Sequence, residues 1–331
     1  MKYEAIVTML LAAMLFCALA PRNLLGESSS FSSAVAVTCD QSSAEAAASL
    51  VVRHVNRHHK HGFKFKLRQV LSSKYQQMPG GCHVDVHVKL VQTKCHFTNP
   101  KSFEQCQPFE RLERGAVATC WASLRVTWGA ATVTRYDCAT RPDPTNEDLL
   151  KTCANCSILL PLSEPTAVKV AQEAVDKYNR GGGDPSYMAL LEVAHVMTRY
   201  MPSTGWVTWL ELALVETNCP REAAHTLAPC TPLCPDRANH AYCKVAYYYK
   251  QKAMRGPECE TYPRNSSPRL PAGAAEPTCS LLYHESPEAR LCEERLADHQ
   301  PAIHPICPFP PVGPLQRQWF RRRQQQQWVK G

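Results

Sequence analysis

The stretch HVDVHVKLVQTKC, residues 83–95, decides the fold. Val84, Val86, Val88 and Leu90 take one parity, and His83, Asp85, His87 and Lys89 the other. Successive side chains of a strand point to opposite faces, so this alternation predicts a half-buried β-strand with the aliphatic set inward. The stretch ends on Cys95, and the spacing that starts there recurs. Cys95 to Cys106 and Cys219 to Cys230 are both 11 residues, Cys106 to Cys120 and Cys230 to Cys243 are 14 and 13, and Cys120 to Cys138 and Cys243 to Cys259 are 18 and 16. Four cysteines in register about 120 residues apart mark a tandem duplication.

Each repeat opens on an amphipathic helix. In the first, Ser42 and Glu45 have capping-box spacing, Ala47, Leu50, Val51 and Val55 share one face, and His61-Gly62 ends the element. In the second, Ser163 precedes Pro165, Val168, Ala171, Val175 and Tyr178 form the apolar stripe, and Asn179 to Gly183 stop it. Period-two segments follow each helix: FKFKLRQV, CWASLRVTW and TVTRYDC in the first repeat, and YMALLEVAHV, WVTWLELALVETNC and YCKVAYYYK in the second. One helix followed by about four antiparallel strands predicts an α+β unit, a sheet wrapped across a single helix.

The N-terminus sets the redox context. MKYEAIVTMLLAAMLFCALA carries an early lysine, an apolar run from Ala5 to Cys17 and a small-x-small end, which predicts a signal peptide over residues 1–20 and a secreted, extracellular protein. The run is too short to span a bilayer and no later segment is long enough, so no membrane span is expected. Of the 17 cysteines, removal of Cys17 leaves an even set, and in an oxidising compartment that favours disulfides over zinc or redox chemistry.

Together these residues resemble a known family. A helix, a hairpin, strands ending in QTKC or ETNC and two consecutive disulfide loops look like the cystatin domain. Two in tandem, with Cys153-Ala154-Asn155-Cys156 and LLPLSEP between them and a late Cys307 in HPICPFPP, resemble the fetuins. The resemblance implies two cystatin-like domains at 37–140 and 163–262, a linker with a C-x-x-C clip at 141–162, and a proline-rich, largely disordered tail at 263–331. It also implies the pairings Cys39 with Cys307, Cys95 with Cys106, Cys120 with Cys138, Cys153 with Cys156, Cys219 with Cys230, and Cys243 with Cys259. Cys82, Cys234, Cys279 and Cys292 are left over. Pairing Cys279 with Cys292 by proximity would leave Cys82 and Cys234 as an interdomain bridge.

Enzymatic chemistry finds no support: the chain contains no H-E-x-x-H, no G-x-S-x-G and no phosphate-cradling glycine loop, and no cofactor is expected. The fetuin resemblance implies an extracellular endopeptidase inhibitor, with an astacin-type zinc metalloprotease as the preferred partner. In that family the interdomain C-x-x-C segment, with an aspartate at its third position, enters the protease cleft. A carboxylate there takes the open position of a catalytic zinc. Here Asn155 stands at that place, and Ser157 where a proline follows. The change creates an N-x-S sequon at Asn155-Cys156-Ser157, and a second lies at Asn265-Ser266-Ser267. Asn155 is therefore either a weakened zinc-facing residue or a glycosylation site that abolishes that role, and the C-x-x-C also reads as a plain structural clip.

Two other binding functions compete. Inhibition of papain-like cysteine proteases in the cystatin manner uses a Q-x-V-x-G hairpin and a proline-tryptophan turn. Gln76-Gln77-Met78-Pro79-Gly80 and Trp128-Gly129 keep parts of that wedge, with Thr127 in place of the proline, while the second repeat has RYMPSTG and no glutamine. Calcium phosphate capture would need rows of carboxylates, and His83, Asp85, His87 and Lys89 supply one acid. The formal net charge of +8 suits anionic glycans better than calcium or mineral. His54, His58, His59 and His61 have the spacing for zinc at the end of the first helix, but beside Lys60, Lys64 and Lys66 they read as a hydrated basic face, so no metal site is predicted. Arg321-Arg322-Arg323 reads as a solvated terminus. No nucleic-acid partner is expected, and the protein is expected to be a monomer.

Overall fold

A computed structural model describes residues 37–128, 130–181, 185–221, 230–234, 237–264 and 302–310. The first unit consists of helix α1 (Ala44–His58) and strands β1 (Phe63–Met78), β2 (Gly81–His96), β3 (Ala116–Thr127) and β4 (Ala130–Pro142), an antiparallel sheet in sequence order. Helix α2 (Asn146–Thr152) and the short strand β5 (Ile158–Leu159) follow in the linker. The second unit has helix α3 (Pro165–Gly181) and strands β6 (Ser186–Met201), β7 (Gly205–Pro220), β8 (His240–Tyr248) and β9 (Ala253–Tyr262). Its sheet is ordered β5-β6-β7-β8-β9, so the linker contributes its edge strand.

The alternation in residues 83–95 has the expected parity. Val84, Val86, Val88 and Leu90 are buried beneath α1 with Val51, Val52, Val55, Leu124 and Tyr136. Their neighbours face out: Asp85 accepts from the Ser123 hydroxyl at 2.6 Å, and the His87 ring stacks on Trp121 at 3.4 Å. In the second unit Val170, Ala171, Ala174 and Val175 of α3 pack on Met188, Val196, Leu210, Leu212 and Leu214.

The duplication extends to single hydrogen bonds. In the last turn of α1 the Asn56 amide accepts from Phe65 N and donates to Phe65 O, both at 2.8 Å. Asn179 in α3 does the same to Met188, at 2.9 Å each way. The threonine of QTKC, Thr93, donates to Lys64 O at 2.8 Å, and that of ETNC, Thr217, donates to Tyr187 O at 2.7 Å. Each satisfies a backbone group at a strand start, so the two repeats share one way of fixing helix to sheet, through the asparagines, and strand to strand, through the threonines.

The helix starts differ from expectation. The Ser42–Glu45 capping box does not form: Asp40 accepts from Ser42 N at 2.8 Å and caps a 3-10 turn, Gln41–Ser43, from which α1 grows. In α3 the Glu164 carboxylate accepts from Ala167 N at 2.6 Å. The buried face of α3 runs through Ala167, Val170, Ala171, Ala174 and Val175, so exposed Val168 is not part of the stripe and Tyr178 only flanks it. Small alanines let the helix sit close on the sheet, so its buried face is centred on Ala167, Ala171 and Ala174 rather than on the larger residues.

Five of the implied disulfides are present: Cys95–Cys106, Cys120–Cys138, Cys153–Cys156, Cys219–Cys230 and Cys243–Cys259. Cys39 is bonded to Cys82, with Cα atoms 5.8 Å apart, and not to Cys307. The reason is helix length. Cys39 precedes α1, whereas the Cys307 sulfur lies 3.4 Å from His61 Nε2 just past its end, and 15 residues of helix put about 22 Å between those ends. A disulfide tolerates only about 7 Å between Cα atoms. The Cys39–Cys82 bond also overturns the Cys82–Cys234 bridge; Cys234 and Cys307 are themselves disulfide-bonded, and Cys279 and Cys292 lie outside the described residues.

Part of the segment expected as a loose tail is packed. Tyr136 and Phe309 exchange backbone hydrogen bonds at 2.7 and 2.9 Å on the β4 edge, and Ile303, Ile306 and Cys307 are buried. The basic face predicted for the end of α1 is partly enclosed: of its residues only His59 is buried. His59 is buried against Phe65 and His61, and the Lys64 ammonium donates to the Asn99 and Lys101 carbonyls.

Candidate functional site and family

Helix α2 and strand β5 form a base from which the C-x-x-C loop projects. Thr145 caps α2 by accepting from Asp148 N at 3.1 Å, and Leu149 turns into the protein, 1% exposed. Cys153 N still donates to Leu149 O at 2.8 Å, so the first cysteine is fixed by the helix. On the far side the Asn146 side chain grips Leu159, accepting from its N–H at 2.9 Å and donating to its carbonyl at 2.8 Å. Arg114 donates to the same Asn146 oxygen at 2.6 Å. Between these anchors the Cys153–Cys156 bond closes a four-residue ring, tightened by Cys156 N donating to Cys153 O at 3.2 Å. Ala154 and Asn155 are exposed at its tip.

The ring thus presents two solvent-facing residues on a rigid foot. Arg114 is fully buried, and two of its guanidinium nitrogens have no hydrogen-bond partner. Its one strong contact is the Asn146 clamp, so its orientation depends on that amide. Asn146 sits in a connector, and nothing in its spacing betrayed the clamp. Asn146→Ala removes both Leu159 bonds and leaves Arg114 more poorly satisfied. We expect it to lower the melting temperature and to raise protease cleavage within residues 150–158, measured by limited proteolysis, with a stability cost of about 2–3 kcal/mol.

The residues read as a cystatin-like wedge share one end of the first sheet. Met78-Pro79-Gly80-Gly81 forms the β1–β2 turn with Gly80 at φ +78°, which suits a proline-first type II turn. The Trp128 ring approaches to 3.8 Å of the place a Gly80 side chain would occupy. Trp128 is 93% exposed. Gln77 is turned back, donating to Cys39 O at 3.1 Å, and Gln76 pairs with His83 in the strand register. The wedge components are together, but one glutamine is engaged with the N-terminal segment.

The outward face of β2 does not present a carboxylate row. Asp85 is taken by Ser123 and by His83, 3.2 Å away. Asn265 and Gly129 lie outside the described residues, and no helix among the described residues is long and apolar enough to cross a membrane.

Where the two units meet, side chains from both converge on Glu192 of β6. Its carboxylate accepts from Gly62 N at 2.5 Å and from His96 Nε2 at 2.6 Å. His304 Nε2 donates to Val193 O at 2.9 Å, and its other ring nitrogen lies 3.3 Å from His61 Nδ1. His195 contacts Arg114 O at 3.1 Å. Burial favours neutral rings: His59 is pushed down to about 3 and His240 to about 4, and His61 falls well below the usual histidine range. Burial alone would raise Glu192, yet the neighbouring His304 and His96 hold it down at about 2. The sequence did not single out Glu192, which reads there as one polar residue in an alternating strand.

Comparison with known proteins follows this architecture. The cystatin domain profile matches residues 34–124, the first unit. The antihemorrhagic factor cHLP-B of Gloydius brevicauda is 27% identical over 229 residues, 68% of this chain and 65% of that protein. Alpha-2-HS-glycoprotein of Sus scrofa is 28% identical over 207 residues, 62% of this chain and 55% of that protein. The matched region thus spans less than two thirds of either relative. Among solved structures, mouse fetuin-B in complex with crayfish astacin superposes with a TM-score of 0.53 at 20% identity, covering 70% of this chain and 74% of that one. Mouse fetuin-B in its inhibitory complex with human meprin beta gives 0.54 at 20%, covering 71% and 77%. At that identity the likeness is one of fold. The first unit therefore carries a cystatin domain, the second unit repeats its hydrogen bonds, and the chain is similar in sequence to alpha-2-HS-glycoprotein and in fold to fetuin-B.

Proposed function

We propose that the protein is a secreted, non-enzymatic inhibitor of extracellular zinc endopeptidases of the astacin type, acting through Cys153-Ala154-Asn155-Cys156. The observation that carries this reading is the ring itself, closed by a disulfide, solvent-facing at Ala154 and Asn155, and anchored at both ends by Leu149 and by Asn146. Mouse fetuin-B, a neighbour in fold, forms an inhibitory complex with meprin beta and a complex with astacin. A preorganised ring lowers the ordering cost of entering a cleft. Its tip offers the protease zinc an amide oxygen, a weaker ligand than a carboxylate. As the asparagine of a sequon, Asn155 also carries the ring's regulation: a glycan there stands between ring and cleft.

Two substitutions separate these effects. Asn155→Gln removes the sequon and keeps an amide, and Asn155→Asp removes the sequon and supplies a carboxylate. Relative to the glycosylated protein, both are expected to strengthen inhibition of an astacin-family protease, with Asn155→Asp tighter than Asn155→Gln by about tenfold or more. Unchanged inhibition constants in both variants would mean that the ring does not reach the zinc. The proximity of Trp128 to Gly80 favours papain-like proteases as a second reading, and Trp128→Ala tests it without touching the ring.

A further inference from the structure

The open end of the second sheet differs from the rest of the surface in composition. The β6–β7 hairpin, residues 197–209, reads MTRYMPSTGWVTW, and the β8–β9 hairpin, residues 246–257, reads AYYYKQKAMRGP. The 25 residues contain four cations, six aromatic rings and no carboxylate. The sheet holds the two hairpins together at their tips: Tyr249 N donates to Trp206 O at 3.2 Å, and a side chain built on Gly205 would meet Lys250 at 3.6 Å. Trp206, Tyr200 and Tyr249 are 50%, 48% and 36% exposed, large rings of the kind a protein buries when nothing else covers them.

The cations are placed among the rings. Arg255 lies 4.9 Å over the Tyr248 ring and Arg199 6.0 Å over Trp209. Lys250 and Lys252 flank the tip and are exposed. Among the described residues none of the four has a carboxylate within ion-pair distance, whereas Lys244, one pair further down β8, is 3.7 Å from Glu211. The corresponding end of the first sheet is unlike this, because there Lys74 faces Asp85 across the strand pair. Strand register puts Arg199, Arg255, Trp209 and Tyr248 on one face and Tyr200 and Trp206 on the other, so the hairpin tips form a cationic edge with rings on both of its sides, and no carboxylate among the described residues neutralises it.

We infer that this hairpin end binds a sulfated polysaccharide. Sulfate and carboxylate groups repeat along such a chain at a spacing that several fixed cations can meet at once. Guanidinium and ammonium groups hold these anions by charge-assisted hydrogen bonds. Exposed Trp and Tyr faces take the apolar C–H faces of the sugar rings, which a purely basic patch cannot do. The inference is independent of the inhibitory ring, since no residue of 149–165 takes part.

Full-length protein secreted from a eukaryotic host tests it, with a defined heparin oligosaccharide as the probe, by calorimetry and by salt elution from immobilised heparin. The variant Lys250→Ser/Lys252→Ser/Arg255→Ser is expected to bind at least about tenfold more weakly and to elute at lower salt. Lys250→Arg/Lys252→Arg retains affinity. Trp206→Ala loses affinity with little change in its salt dependence, because stacking rather than charge is removed. The rival cation source, Arg321→Ser/Arg322→Ser/Arg323→Ser, is expected to stay within about twofold of the parent. Absence of heparin binding by the parent, a triple-serine tip variant that binds like the parent, or a loss carried wholly by the tail variant would overturn the proposal. So would a tip variant that keeps heparin affinity and loses only protease inhibition, because the surface would then be a protein dock.

Discussion

Acidification from about pH 7.5 to about pH 5 is expected to cost the folded state about 4 kcal/mol from two histidines alone. His59 and His240 are held neutral by burial, at about 3 and about 4. Unfolded, each titrates near 6.5, so between that value and the folded one the unfolded state binds protons that the folded state refuses. Stability contributed by such a group is complete above the unfolded pKa and is lost as pH falls. At pH 5 each contributes a loss of about 2 kcal/mol. His61 and His195, also depressed, act in the same direction. Glu192 adds a later loss, from the usual carboxylate range down to about 2. Glu192 and His195 lie where the two units touch, through Gly62, His96 and Arg114, so part of the relief comes by parting the units there. Thermal melts at successive pH values should show the melting temperature falling steeply below pH 6.5. A flat profile between pH 7.5 and 5 would contradict the buried, neutral assignment.

The second large effect concerns the ring. Replacing Cys153 and Cys156 together by serine leaves Leu149, Asn146 and both sheets untouched but frees Ala154 and Asn155. Ordering two backbone residues on binding costs about 3 kcal/mol, which corresponds to roughly a hundredfold weaker inhibition. The double variant should therefore melt near the parent temperature and inhibit an astacin-family protease about a hundredfold less well. Unchanged inhibition would reduce the C-x-x-C to a structural clip.

How much of this was legible in the sequence depends on the range of the interaction. The parity of Val84, Val86 and Val88 and the two helices are set by local periodicity and could be read from the residues, whereas the five disulfides that formed as expected followed from the resemblance to the fetuins. The partner of Cys39 could not be read, because it depends on which end of α1 faces the β1–β2 turn. The burial of His59 and the convergence of His96, His304 and Glu192 require contacts separated by up to 112 residues in sequence between Glu192 and His304. A histidine carries no mark in sequence of whether it will be hydrated or enclosed. At the site, the ring and the asparagine at its tip were visible. Its foot, the Asn146 clamp and the buried Arg114, was not, since neither residue belongs to a periodic pattern.

We propose the ring, and not the hairpin wedge, as the inhibitory element. The most direct measurement is a parallel titration of the intact secreted protein, freed of N-glycans, against an astacin-family protease and against papain at fixed enzyme concentration. The account predicts saturable inhibition of the astacin-type enzyme and papain activity left intact. Inhibition of papain with the metalloprotease unaffected, or inhibition of neither, would contradict it.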